Sequence, residues 1–99
     1  MTSAEFRKLA LSLPDAVEMS HHGHPDFRIG GKIFATLPKQ GRGMVRLPVK
    51  EQKRLVAEHP DVFEPGPGAW GRQGCTIIIL AAAKKTIVLA ALRAAWMGR

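Results

Sequence analysis

The stretch Phe27-Arg28-Ile29-Gly30-Gly31-Lys32-Ile33-Phe34-Ala35-Thr36-Leu37 decides the fold. Phe27 and Ile29 on one side, and Ile33, Ala35 and Leu37 on the other, surround a glycine pair. Apolar residues at every second position around Gly-Gly predict two antiparallel strands joined by a tight turn. Residues 39–43 contain a second glycine turn, and residues 44–47 supply the next strand. Upstream, Val17 and Met19 alternate with Glu18 and predict a short strand, and residues 21–25 read as a loop. Together these predict an antiparallel meander over residues 18–47.

The flanks are helical. Thr2 and Glu5 have the spacing of a capping box. Phe6, Leu9, Ala10 and Leu13 follow at i, i+3, i+4 and i+7, and Pro14 ends the helix. Pro48 suits the first turn of a second helix, with Leu55 and Val56 inside, Gln52 flanking them, and His59-Pro60 closing it. Val62-Phe63 forms a short strand, and the run Pro65-Gly66-Pro67-Gly68 reads as a rigid loop that no helix crosses. Residues 75–80 are almost fully apolar and predict a central strand buried on both faces. Residues 86–97 predict a final helix, apolar nearly all round except at Arg93. The expectation is an α+β single domain over residues 1–99. It is a two-layer sandwich: an antiparallel sheet of about five strands, N- and C-terminal helices packed on it, and one further helix.

Ninety-nine residues give one core and leave no room for a second. The single cysteine, Cys75, excludes an internal disulfide and a four-cysteine zinc site. Glu5, Arg7 and Lys8 interrupt any signal-peptide core, and Lys84-Lys85 split the most apolar segment into pieces too short to span a bilayer. A cytoplasmic protein without a membrane partner is the expectation, with a monomer as the default.

The formal charge of +7 is unevenly spread. Residues 1–30 carry three Lys and Arg against four Asp and Glu, a net −1. Residues 31–54 carry seven against one, a net +6, so the excess sits on the meander and the second helix. Such clustering is the footprint of a polyanion-binding face, although a solvated surface is also rich in Lys and Arg. The absence of Tyr gives stacking on single-stranded bases less support than phosphate contact with a duplex. Lys84 and Lys85 at the start of the last helix oppose its dipole, unless the helix begins later and leaves both solvated.

His21, His22 and His24 are metal suspects, but neighbouring side chains in an extended loop diverge and Asp26 is the nearest carboxylate. No metal site and no cofactor are therefore assigned. Cys75, in an apolar strand, reads as a buried structural thiol rather than a nucleophile. Gly66-Pro67-Gly68 lacks the lysine and hydroxyl residue of a phosphate loop. Trp70-Gly71-Arg72 suits either an anion clamp on a rigid loop or a Trp lid on the core with a solvated Arg. No paired carboxylates or activated nucleophile can be named, so the expectation is a protein that is not an enzyme.

Three groups of residues carry a resemblance: Gly23-His24-Pro25-Asp26-Phe27-Arg28, Gly31-Lys32-Ile33-Phe34-Ala35, and Pro67-Gly68-Ala69-Trp70-Gly71 with Gly74 and Thr76. In this order and spacing, with the flanking helices, they resemble the MmcQ/YjbR family over nearly the whole chain. The resemblance implies a CyaY-like α+β fold and a double-wing DNA-binding role. Leu47-Pro48-Val49, Cys75 and Lys84-Lys85 depart from the family pattern. On this reading Arg28, Lys32, Lys39, Arg42, Arg46 and Arg72 contact the phosphates of duplex DNA. The alternative is a small-ligand or protein-interaction module using a groove at His24, Phe27, Trp70 and Arg72. Iron handling, suggested by the frataxin-like fold, needs an acidic ridge on the first helix. That helix instead carries Arg7 and Lys8 beside Glu5.

Overall fold

The structure is a computed structural model that describes residues 1–99. The chain opens with helix α1, Ser3–Leu11, whose capping box is complete: Glu5 N–H donates to Thr2 Oγ1 and Thr2 N–H donates to Glu5 Oε1. The meander follows as β1, Val17–His21; β2, His24–Ile29; β3, Lys32–Lys39; and β4, Arg42–Arg46. Then come α2, Val49–Glu58; β5, Phe63–Pro65; α3, Gly68–Arg72; β6, Cys75–Ile79; a 3-10 turn, Leu80–Ala82; and α4, Lys85–Met97. The strands form one antiparallel sheet in the order β1-β2-β3-β4-β6-β5. It has six strands where about five were expected. No helix is long and apolar enough to cross a membrane.

The Gly30-Gly31 turn is made as predicted, with φ of 57° and 80°. Both values lie in the left-handed region that a two-residue hairpin requires. Residues 21–25 are not a loop. β1 and β2 run through them and leave only His22-Gly23 as the turn, with His21 opposite His24.

Helices α1 and α4 cover one face of the sheet. Phe6, Leu9 and Ala10 from α1, and Val88, Ala91, Leu92 and Ala95 from α4, are buried there with Phe27, Phe34, Val45, Phe63 and Ile78. Burying this cluster supplies the main drive to fold, at roughly 1.5–3 kcal/mol per large side chain. Gly43 is what lets α1 lie so close. A Cβ there would sit 2.7 Å from Phe6 Cε1, nearer than packed carbons approach.

The other face of the sheet has no long helix laid across it, and two expectations change as a result. β6 is not buried on both faces: Cys75, Thr76 and Ile78 are buried, while Ile77 and Ile79 are only half-buried. On β1 the alternation runs opposite to a core-facing strand. Val17 and Met19 are each about half exposed, whereas Glu18 turns towards α1 and pairs with Arg7. Nor is the segment after Pro67 loop throughout: Pro67 occupies the N-cap position of the short helix α3, which carries Trp70 and Arg72. Pro48 likewise occupies the N-cap position of α2, one residue before its first turn.

Candidate functional site

The register arranges the uncovered face in rows. One row runs Val17, Arg28, Ile33, and another pairs Arg46 with Cys75. The middle row runs Met19, Asp26, Thr36, Met44, Ile77 and Glu64. At the far end lie His21 opposite His24, and Lys39, Arg42 and Ile79. Strand alternation sends all of these side chains to the side away from α1 and α4.

A groove of about 440 Å³ crosses this face, within the size range of small-molecule sites. Its floor is sheet: Ile33, Ala35, Thr36, Pro38, Met44, Arg46 and Cys75. His21, His22 and His24 of the β1–β2 hairpin form one wall, and Trp70 with Gln73 the other. Trp70 is 64% exposed, so its indole is not a lid on the core. No carboxylate lines the groove, and Arg46 is its one fixed charge.

The nearest acid on the same face, Asp26, is fully buried and committed. It accepts from Arg28 Nε at 2.8 Å and Arg28 Nη2 at 3.1 Å, and lies 2.7 Å from His21 Nδ1. These bonds, the Arg28 pair first, hold its carboxyl below the usual range although burial opposes them. The same pair holds the Arg28 guanidinium more firmly protonated. An ionised carboxylate only accepts, so His21 Nδ1 carries a proton and donates it, which fixes the ring and leaves Nε2 without a partner beside the groove. His22 adopts φ of 50° at the hairpin tip, a conformation in which His is enriched but which still strains the backbone.

Gln52 positions the Trp70 wall. Buried on α2, it donates from Nε2 to Gly71 O at 2.8 Å and to Cys75 O at 3.1 Å, and so ties α3 to β6. The sequence marks Gln52 only as a flanking residue, because its bonds reach residues 19 and 23 positions away. The Asp26–Arg28 pair had a readable signal: opposite charges two apart in a strand share a face.

The residues proposed from sequence do not form one cluster. His24 and Trp70 both line the groove, and Arg46 lies in its floor. Phe27 lies on the opposite side of the sheet, fully buried, its ring 6.2 Å from that of Phe6. Arg72 is exposed on α3 and does not line the groove. Lys39 and Arg42 are cross-strand partners at the β3–β4 turn, while Lys32 sits at the other end of β3. Arg28 is engaged by Asp26. Arg54, part of the basic segment, is clamped by Glu51 and Glu58 at 2.8 and 2.6 Å. No group of three or more His, Cys, Asp or Glu side chains is placed to hold a metal ion.

Comparison with known proteins agrees with this architecture. The crystal structure of Deinococcus radiodurans protein DR2400, a DUF419 domain, superposes with a TM-score of 0.76 at 16% identity. The match covers 97% of this chain and 76% of that one. No curated protein matches the sequence. The YjbR family model matches residues 11–97, from the last turn of α1 to the end of α4. The chain belongs to the YjbR family.

Proposed function

We propose that the protein is a non-enzymatic DNA-binding module of the cytoplasm that meets its partner with the uncovered sheet face. The observation that carries this is the state of the charges on that face. Lys39, Arg42 and Arg46 have no acidic partner, while the one buried acid among them, Asp26, is neutralised by Arg28. Arg42 and Arg46 lie four residues apart on one strand. They therefore stand about 13 Å apart on the same face, far enough to contact separate phosphates. Arg72 extends the positive surface onto α3. Arg28, held by its carboxylate, and Lys32, which strand alternation turns away from the face that Ile33 lines, fall outside the contact set.

Four phosphate contacts predict a log–log salt slope of roughly −3 to −4. Titrating a labelled 20-bp duplex at several salt concentrations measures it. Absence of binding at low salt, or an unchanged slope in the Lys39→Ala/Arg42→Ala/Arg46→Ala variant, refutes the reading.

A further inference from the structure

We propose that the groove between the histidine hairpin and Trp70 holds one unpaired nucleotide of a DNA strand, its base against the indole and its phosphate at Arg46. This rests on the DNA reading above and specifies what the centre of that face takes.

Four observations converge on such an occupant. The volume of about 440 Å³ accommodates a planar base with its sugar and phosphate. Trp70 is the one large aromatic side chain exposed on the molecule, and it stands on a wall rather than on a flat surface. An exposed indole sharing a groove with the apolar floor residues Ile33 and Met44 is a stacking site for a ring. The charge is complementary to a single anion: Arg46 lies in the floor, Lys39 and Arg42 stand at the adjoining turn, and no carboxylate lines the cavity.

The opposite wall supplies polar groups with fixed roles. Asp26 holds the His21 ring by Nδ1, which leaves Nε2 free to hydrogen-bond a base edge. Gln73 offers both a donor and an acceptor from the Trp70 side. His22 is kept at the hairpin tip with φ of 50°, where glycine would be unstrained, and its side chain lines the cavity. Duplex phosphates alone would use none of these groups. A paired base cannot enter a groove between two walls, so the occupant is a base outside the helix stack.

The test compares an intact 20-bp duplex, the same duplex with one unpaired nucleotide at its centre, and free deoxynucleoside 5′-monophosphate. Binding of the labelled duplexes is read by anisotropy, and monophosphate binding by Trp fluorescence. The bulged duplex is expected to bind about 10-fold or more tightly than the intact one. In Trp70→Ala the ratio of the two affinities falls to about one, the expected loss of the stacking contribution. The monophosphate quenches fluorescence saturably, and the quench disappears in Trp70→Phe, which leaves Trp96 as the only indole. Equal affinity for the two duplexes overturns the inference while leaving duplex binding intact. A saturable quench by the monophosphate without preference for the bulge also overturns it, because the ligand is then a free nucleotide. Tight binding of the bulged duplex with no affinity for the intact one supports the groove and refutes the phosphate-tracking role of the surrounding face.

Discussion

At the scale of single residues, Asp26 has the most consequential environment in the molecule. Its carboxylate is shielded from water and takes three hydrogen bonds, two from Arg28 and one from His21. The folded state therefore binds the Asp26 proton less readily than the unfolded chain does. A carboxyl depressed in this way stabilises the fold above its unfolded value near 3.8, and that contribution is lost as pH falls through the lower folded value. Asp26→Asn should cost about 1–3 kcal/mol at pH 7, since the amide leaves the Arg28 charge unpaired. The stability gap between wild type and variant should shrink in urea melts taken below about pH 4, where the unfolded carboxyl is protonated. A gap unchanged between pH 7 and pH 3 would mean that the ion pair is not its source. The same variant frees the His21 ring to turn, so a nucleotide-dependent signal from the groove should weaken with it.

At the scale of elements, the start of α4 is left without a side-chain cap. Lys84 occupies the N-cap with the extended φ and ψ of −96° and 146° that a capping residue needs, yet it makes no side-chain cap bond. Lys85 follows as the first helical residue, so the helix begins under both lysines and not after them. Glu5 of α1 lies near enough to Lys85 to feel its charge. Lys84→Asp should supply the missing acceptor and favour the dipole, adding about 1 kcal/mol. That corresponds to a Tm rise of about 4–8 °C for a domain of this size, and a calorimetric scan showing no rise would rule it out. How much of these elements was legible in the sequence follows from the range of the forces involved. The α1 capping box and the Gly30-Gly31 turn are made by residues in one short window, and both read correctly. α3 and the true surroundings of β6 depend on partners far along the chain. Gln52 draws Gly71 and Cys75 together, and only the absence of a long helix over the second face leaves Ile77 and Ile79 half-buried. The period-two pattern of β1 reads as a strand, but pattern alone does not say which side of the sheet is core. Val17 and Met19 accordingly face outwards.

At the scale of the whole molecule, the fold sorts a charge excess that the sequence only localises. The seven cations of residues 31–54 separate into distinct groups once the chain folds. Lys32 stands at one end of the eight-residue β3, and Lys39 with Arg42 at the other. Seven strand steps put these ends about 23 Å apart, well beyond one Debye length at physiological salt. Arg54 is spent on Glu51 and Glu58. Arg46 lies nearer the Lys32 end of the sheet, but Ile33 faces the groove and strand alternation turns Lys32 to the opposite side, so a partner on the uncovered face meets Lys39, Arg42 and Arg46 and not Lys32. This separates two kinds of electrostatic binding. If net charge alone attracts DNA, removing any one lysine from the +7 total should matter equally. If the uncovered face makes the contacts, position decides. Lys39→Ala/Arg42→Ala should then lower the magnitude of the log–log salt slope by about 2, one contact for each cation removed. Lys32→Ala should leave that slope unchanged within error. Matched titrations of the two variants against one duplex distinguish the cases. Equal effects per charge removed would return the +7 to a bulk property, and an effect confined to the Lys39–Arg42 end would make the groove its address.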